Sequence, residues 1–435
     1  MRTVRKRQGT GPGPLPLLRR TRLPTAGMLA LIVLAMLASV GFAAAEPAAV
    51  PEPGYGDRAA DAGTFGPLDG GMTGGLTESR LRDIDTAAVE AYWNRLMKDY
   101  GGFFPDRRVP SFMEMILPGG EGLDFRTVLA GLLRYVLYEV LYSGKLIVTI
   151  VMLTVFCMIL ETMQTAFERN AVSKVAYAVA YMVLLVLAVN SFNTAIGYAK
   201  DAIGGMIQFM MAMIPLLLTL LASMGNVVTV TVMHPLIVFM IHTVGTLIYT
   251  LVFPLLFFSA VLHIASALSD KFKVTQLANL LRTIAVGTLG LLLTAFLGVI
   301  SVQGATGSVT DGVAIRTAKF VTGNFVPVVG RLFADAADTV MSASLLVKNA
   351  IGLAGVVILL FLCVFPAVKI LVLAFIYKVS AAVMQPLGNS PIVGTLDTIG
   401  KTMVYVFAAL AAVGLMFFLA VTIILTAGNA AIMIR

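Results

Sequence analysis

Charged side chains are scarce in this 435-residue sequence. Only 12% of the residues are Asp, Glu, Lys or Arg, and 58% are hydrophobic. A soluble domain has about 25% charged and about 45–50% apolar residues. The shortage of charge excludes an ordinary soluble protein and indicates an all-α, polytopic integral membrane protein.

Cysteine, histidine and catalytic motifs are scarce as well. Neither of the two cysteines, Cys157 and Cys363, has another Cys or His nearby, so neither a disulfide scaffold nor a zinc site is expected. The three histidines are too far apart for any pair to share a helical turn. No G-x-S-x-G, H-E-x-x-H or Walker sequence occurs. We therefore predict a protein that is not an enzyme and holds no metal or cofactor. If it transports anything, a gradient or a separate ATPase must supply the energy.

Acidic residues are absent from the first 45 positions, although the whole chain has a net charge of +8. Removing this segment takes away seven of the 31 Lys and Arg residues, which leaves 24 cations against 23 acids, or +1. Without a basic remainder, nucleic acid is not an expected partner.

The same 45 residues match a secretory signal peptide. A basic start is followed by the apolar run Met28–Phe42 and by Ala43-Ala44-Ala45, which fits a cleavage site. The alternative is an uncleaved first membrane helix, but the run is shorter than the ~20 residues that a span needs. Residues 46–77 are rich in Pro, Gly and Ala and are predicted to be a flexible linker.

Residues 78–126 are predicted to form a small exported helical module near the membrane surface. Apolar residues at helical spacing alternate with charges up to Gly101-Gly102, and Trp93 is the chain's single tryptophan. This pattern predicts one amphipathic helix, and membrane lipid is an expected partner of the protein.

Six to eight transmembrane helices follow, and two of the apolar segments, 175–198 and 203–224, are separated at Lys200-Asp201. We predict a first membrane helix bundle over 127–303, a polar-striped segment over 304–348 that is amphipathic or re-entrant, and a second membrane helix group over 349–435. With an exported N-terminus, the connection holding Arg169 and Lys174 lies inside. The connection holding Lys271, Lys273 and Arg282 also lies inside only if residues 227–268 split into two spans at Pro254, and we predict this split.

Two proline-centred strings recur at one offset, 112 residues apart. Met213-Ile214-Pro215-Leu216 matches Phe325-Val326-Pro327-Val328, and Val252-Phe253-Pro254 matches Val364-Phe365-Pro366. These matches suggest an internal repeat, as in many transport proteins, although such short strings can recur by chance in so apolar a chain.

A polar stripe appears when residues 316–342 are read as a helix. Its cations precede its aspartates, which is the reverse of what the helix macrodipole favours. Three interpretations remain open: a surface helix with snorkelling cations, a face lining an aqueous pathway, and a docking face for another membrane protein. The stripe consists of Arg316, Lys319, Gly323, Pro327, Arg331, Asp335, Asp338 and Ser342.

Lys369 is a charge within the apolar run 350–377. It is either a functional charge or the sign of a break between two shorter segments, because it follows Pro366 by three residues. The break is the interpretation we favour from sequence.

Several long strings together resemble the stage III sporulation protein AE family of endospore-forming bacteria. The resemblance runs from about Ile84 to Arg435. Its strings are EAYWNRLMKDYGGFFP (90–105), SKVAYAVAYMVLLVLAVNSFNTAIGYAKDAI (173–203), KVTQLANLLR (273–282), GVISVQGATGSVTDG (298–312), RTAKFVTGNFVPVVGRLF (316–333), AFIYK (374–378) and QPLGNSP (385–391).

The resemblance implies a component of the channel or feeding conduit between mother cell and forespore, required for late forespore development. It implies a multi-pass protein of the mother-cell membrane surrounding the forespore. The implied partners are other products of the stage III operon, including a separate ATPase and ring-forming membrane proteins, and a forespore membrane protein across the intermembrane space. It implies no catalytic residues. The alternatives are a stand-alone secondary transporter of a small solute and a non-conducting scaffold for the ring proteins.

Overall fold

The computed structural model describes residues 86–104, 110–116, 125–166, 171–268, 273–325, 329–387 and 390–433. Within these ranges every regular element is helical. The chain separates into two units, Met1–Thr64 and Phe65–Arg435, and the described residues belong to the second. The predicted signal peptide (1–45) and linker (46–77) lie outside the described residues.

The helices fall into a short N-terminal set and a long set. The short set is α1 (Ala87–Tyr100), a 3-10 turn (Gly101–Phe103), α2 (Phe112–Ile116) and α3 (Phe125–Tyr142). The long set is α4 (Gly144–Ala166), α5 (Ala171–Ser223), α6 (Val227–Leu247), α7 (Phe253–Leu268), α8 (Thr275–Phe325), α9 (Val329–Met384) and α10 (Pro391–Met433).

Six candidate membrane spans occur in the described part of the chain, at the lower limit of the predicted six to eight. The span in α4, Gly144–Met163, has 20 residues, or about 30 Å, which matches the hydrocarbon core of one bilayer. The other five have 39 to 49 residues and are therefore roughly 60–75 Å long. The prediction of an all-α multi-pass membrane protein is confirmed.

The long helices pack side by side over most of their length. Between α9 and α10, Gly352 faces Leu425 near one end, and Gly400 faces Lys378 near the other. The pairs advance in opposite directions, so these two helices are antiparallel. A glycine at each contact removes the side chain that would otherwise keep the two helix axes apart.

The predicted break at Pro254 is wrong. A π-helical turn, Ile248–Val252, joins α6 to α7, and the Phe253 N–H donates to the Ile248 carbonyl five residues back. A π turn widens the helix, which relieves the clash that a proline ring makes in a regular α-helix.

Contacts with α8 confirm that α6 and α7 run on as one rod. Thr229 of α6 lies against Gly307, whereas the Ser259 hydroxyl of α7 donates to the Ala278 carbonyl at 2.7 Å. Both partners belong to α8, and they are 29 residues apart along it. The end of α5 is joined to the start of α6, and Lys200 of α5 accepts a hydrogen bond from Tyr249 further along the rod. Helix α5 therefore runs antiparallel to the rod, and its start lies at the same end of the bundle as the end of α7. The two predicted cationic connections therefore follow helix ends that lie on the same side of the bundle.

The predicted amphipathic helix near the start of the described chain is confirmed as α1. It ends at Gly101, and Val89, Trp93 and Leu96 are buried. The side chains pack onto the long helices, because the Trp93 indole stacks on Phe361 of α9 with ring centroids 6.2 Å apart.

Both cysteines are buried free thiols, as expected of packing residues. The internal repeat stays a prediction. Pro215 and Pro366 lie inside regular α-helix and Pro254 follows a π turn, while Pro327 lies outside the described residues.

Candidate functional site

A polar cavity of about 350 Å³ opens between α1, α5 and α9, beside the middle of α5. We refer to it as the central pocket. Small-molecule sites in proteins occupy about 300–1,000 Å³, so the pocket can hold a small solute or a lipid headgroup. It is lined by Tyr92, Arg95, Leu96, Asp99, Tyr100, Tyr198, Asp201, Ala202, Gly205, Phe361, Leu362, Pro366 and Lys369.

Aromatic contacts hold α1 in place over the pocket. The Tyr100 ring stacks on Phe365 with centroids 3.9 Å apart, and the Tyr92 ring meets Phe209 edge-on at 5.4 Å. Each such pair contributes about 0.5–1.5 kcal/mol beyond simple burial. These contacts fix the aromatic face of α1 against α5 and α9.

Four charges of both signs line the pocket. Arg95 and Asp99 come from α1, Asp201 comes from α5 and Lys369 comes from α9. None of them forms an ion pair with another residue of the described chain. The two cations instead lie over aromatic rings: Lys369 Nζ is 5.3 Å from the centre of the Tyr198 ring, and Arg95 Cζ is 5.9 Å from that of Tyr92.

The interpretation of Lys369 as a sign of a helix break is wrong, because α9 continues without interruption from Val329 to Met384. A half-buried lysine in a continuous apolar helix fits the other interpretation, a functional charge.

Tyr100 adds a neutral hydroxyl to the wall of the pocket. Burial raises the pKa of Tyr100, and the carboxylates of Asp99 and Glu139 raise it further. The phenol therefore stays protonated at neutral pH and can donate a hydrogen bond into the cavity.

A second polar cluster lies at the end of the bundle where α6 begins. Asp311 of α8 is 1% exposed, and its two carboxylate oxygens accept the backbone N–H groups of Val228 and Thr229, each at 2.9 Å. These N–H groups belong to the first turn of α6 and have no partner within the helix. Asn226, at the N-cap position, makes no side-chain cap of its own, so Asp311 caps α6 from another helix.

A buried lysine marks the same end of the bundle. Lys348 of α9 is 0% exposed, and its Nζ donates to the Leu425 carbonyl and to Asn429 Oδ1 of α10, both at 2.9 Å. Gly428 faces the ammonium so closely that a Cβ there would lie 2.5 Å from Nζ. Lys348 therefore connects α9 to the last turns of α10, where the negative end of the helix dipole favours a cation.

The comparison with known proteins identifies the family. The model of the stage III sporulation protein AE family matches residues 108–428. The chain belongs to the stage III sporulation protein AE family. It is 52% identical over 360 residues to the stage III sporulation protein AE of Bacillus subtilis (strain 168), an alignment that covers 83% of this chain and 90% of that relative. No solved structure matches.

The family match includes Asp201, Lys369, Asp311 and Lys348, but it starts after α1. The sequence resemblance to stage III sporulation protein AE is therefore confirmed, and so is a role in sporulation. The two polar clusters both lie within helices of this family member's membrane bundle.

The predicted polar stripe of this family member is divided between two helices. Arg316, Lys319 and Gly323 lie on α8, which ends at Phe325. Arg331, Asp335, Asp338 and Ser342 lie on α9, which begins at Val329, and Pro327 lies outside the described residues. The side chains of Arg316 and Ser342 are exposed. The side chains of Lys319 and of residues 321–339 are not among those that the structure describes. What the stripe faces stays a prediction.

The stripe and the central pocket are separate sites. Ser342 and Lys369 lie on the same helix, about 40 Å apart along its axis. Sequence reasoning found the stripe and Lys369 but missed Asp201, Asp311 and Lys348. Asp311 and Lys348 could have been found as single charges at the two ends of 304–348, had that segment been read as part of membrane-spanning helices.

Proposed function

We propose that this protein is a membrane component of the mother cell–forespore channel or feeding conduit that late forespore development requires. One observation carries the proposal: four charges, none of them ion-paired within the described residues, line a cavity between the amphipathic helix α1 and the apolar helices α5 and α9. Polar groups in such a bundle are costly unless water or a ligand meets them, and they mark solute pathways in membrane proteins.

The exposed apolar side chains suggest how the bundle sits in its membrane. Along α4 they recur every three or four residues, as expected of a single lipid-facing span: Val148, Met152, Phe156, Ile159 and Met163. Helix α3 precedes α4 and exposes a row of leucines along its length: Leu129, Leu133, Leu137 and Leu141.

The opposite face of α3 is buried on the protein, because Tyr135 is 2% exposed and Glu139 is 9% exposed. An amphipathic helix that turns its leucines outward is suited to lie in the membrane surface with those leucines in the acyl layer. Helix α3 would then mark the membrane surface near the level of the central pocket.

Cysteine labelling tests this placement. In nanodiscs, a cysteine in place of Leu137 is expected to react at least about tenfold more slowly with a membrane-impermeant maleimide than a cysteine in place of Lys98, because acyl chains exclude the reagent. Lys98 lies on the exposed face of α1 and serves as the matched control. Equal labelling of the two cysteines would place α3 in water.

The proposed partners are those implied by the family. They are other products of the stage III operon, including a separate ATPase and ring-forming membrane proteins, and a forespore membrane protein across the intermembrane space. The proposed location is the mother-cell membrane around the forespore. A separate ATPase would supply the energy, and the chain itself would be non-enzymatic.

A stand-alone secondary transporter is the second candidate function, since the central pocket has the size of a small-solute site. Reconstitution without partners separates the two functions. A transporter takes up solute by itself, whereas a conduit subunit or a scaffold for the ring proteins is inert alone.

The polar stripe separates a conduit from a scaffold. Single cysteines over 316–342 are expected to react with an impermeant thiol reagent at the stripe positions, such as Arg316 and Arg331, in assembled complexes, because water fills a pathway. Positions between them, such as Phe320, serve as controls and are expected to stay about tenfold less reactive. Uniform protection in assembled complexes would instead favour docking or scaffolding.

A further inference from the structure

We propose that the central pocket binds a small zwitterion, a molecule that carries an ammonium group together with a carboxylate or a phosphate. The inference names the ligand class of the pocket. It rests on the proposed function for its biological use, although the binding itself can be measured independently.

The pairing of charges favours a ligand with both signs. Two cations and two carboxylates converge on one cavity from three helices. A simple anion would meet the carboxylates of Asp99 and Asp201, and a simple cation would meet Arg95 and Lys369. A zwitterion can place each of its charged groups against the opposite sign, with charge-assisted hydrogen bonds on both sides.

Charged residues on an amphipathic helix usually do no more than face the solvent, and solvent exposure is enough to explain Lys98. It does not suffice for Lys369, which is half-buried among the apolar residues of α9, where an ionised group is costly unless a partner compensates it. Asp201 of α5 is exposed and lines the same cavity from the other side. The Lys369 ammonium lies over the Tyr198 ring, and its three N–H donors have no hydrogen-bond acceptor within the described residues.

The walls of the pocket suit a small organic ligand. The rings of Tyr92, Tyr100 and Tyr198 line it, and aromatic faces attract ammonium groups. Gly205 leaves space in one wall of the pocket, because the atom nearest to a Cβ built there is Leu362 Cδ2 at 3.9 Å. A larger side chain at Gly205 would therefore fill the cavity without removing any charge.

Two sources can supply this chemistry. One is a free solute such as an α-amino acid, and the other is the headgroup of a zwitterionic lipid such as phosphatidylethanolamine. Both carry an ammonium group and an anionic group, so one experiment with two arms is needed to distinguish the sources.

In the first arm, the full chain is placed in nanodiscs of phosphatidylglycerol and titrated calorimetrically with phosphoethanolamine and with each neutral α-amino acid. We expect saturable binding of at least one of these, and no binding of acetate or methylamine, which carry a single charge. In the second arm, nanodiscs contain equal phosphatidylethanolamine and phosphatidylglycerol, and native mass spectrometry reports which lipid stays with the protein.

Variants connect the binding to the pocket. Lys369→Gln, Asp201→Asn and Gly205→Leu are each expected to weaken the binding about tenfold or more, because they remove a charge-assisted contact or occupy the cavity. Lys98→Gln and Lys200→Gln alter neighbouring exposed cations that do not line the pocket, and should change the binding less than about twofold. Circular dichroism of each variant confirms folding.

The inference is overturned if no zwitterion binds in either arm, or if binding is as strong in Lys369→Gln, Asp201→Asn and Gly205→Leu as in the controls. Spore counts from strains carrying the same variants test the proposed function separately. If the variants lose binding but form spores normally, the zwitterion site is supported and its role in the conduit is rejected. If no zwitterion binds but the deletion strain has a sporulation defect, the zwitterion site is rejected and the proposed function is retained.

Discussion

Replacing Asp311 with alanine is expected to destabilise the bundle so strongly that little folded protein remains in the membrane. The substitution leaves the N–H groups of Val228 and Thr229 without an acceptor. Each unsatisfied buried group costs about 1–3 kcal/mol, against a total stability of about 5–15 kcal/mol for a typical protein. Asp311 is 1% exposed, so bulk water does not reach the site to replace the lost acceptor.

The local packing supports a large effect. Gly307 lies one helical turn before Asp311, and a Cβ at Gly307 would come within 2.6 Å of Thr229 Oγ1. Helices α6 and α8 therefore approach closely just where the carboxylate reaches across.

The measurement is the melting temperature of the purified chain in nanodiscs, together with its level in membranes. Asp311→Asn retains one acceptor oxygen and is expected to melt between wild type and Asp311→Ala. Asp397→Ala is the matched control, because Asp397 is 40% exposed and pairs with Lys401 one turn away on the same helix; such pairs contribute less than about 1 kcal/mol. If Asp311→Ala and Asp397→Ala melt alike, Asp311 is not the cap of α6.

The helical nature of the chain and its membrane class could be predicted from sequence, because both follow from long apolar runs. The lengths of the helices could not. Dividing the runs into pieces of about 20 residues placed boundaries near Lys200-Asp201 and at Pro254, yet α5 and the α6–α7 rod pass through both places.

Tertiary contacts explain why these helices do not break. The Tyr249 hydroxyl of the π turn donates to the Lys200 carbonyl at 2.8 Å, and Gly204 leaves room for that hydroxyl. The backbone in the middle of α5 is thus hydrogen-bonded to the neighbouring helix. No local pattern reveals such a pairing between residues about 50 positions apart.

The central pocket was predictable only in part. Lys369 was visible as a charge within an apolar run, and the aromatic face of α1 was visible from its periodicity. Their convergence was not, because α1 and α9 are separated by more than 200 residues of sequence. From sequence, Asp201 beside Lys200 is expected to separate two membrane helices, whereas α5 continues through both residues.

The lengths of the helices bear on the proposed conduit. A rod of roughly 60–75 Å exceeds the ~30 Å core of one bilayer about twofold, and helix tilts of 0–40° do not absorb such an excess. Among the candidate spans of the described residues, only the one in α4 has the length of a single membrane crossing. Part of each long helix must therefore meet something other than the acyl chains of that bilayer, and partner subunits of a channel complex are one such environment.

Replacing Lys348 with glutamate is the second substitution expected to abolish the folded protein. The new carboxylate would face the Leu425 carbonyl and Asn429 Oδ1, which now accept hydrogen bonds from the ammonium. It would also lie at the negative end of the α10 dipole. A buried charge without a partner costs about 3–5 kcal/mol, so we expect loss of most of the membrane-inserted protein, measured by immunoblot and by size-exclusion chromatography.

Two companions make the result specific to the buried site. Lys401→Glu reverses a cation that is 57% exposed and should leave the protein level within about twofold of wild type, since exposed charges contribute little. Lys348→Met keeps the apolar stem and buries no charge, and should remain folded. Normal accumulation of Lys348→Glu would mean that water reaches this end of the bundle. If Lys348→Met folds but forms no spores, the ammonium itself is needed for function and does more than hold α9 to α10.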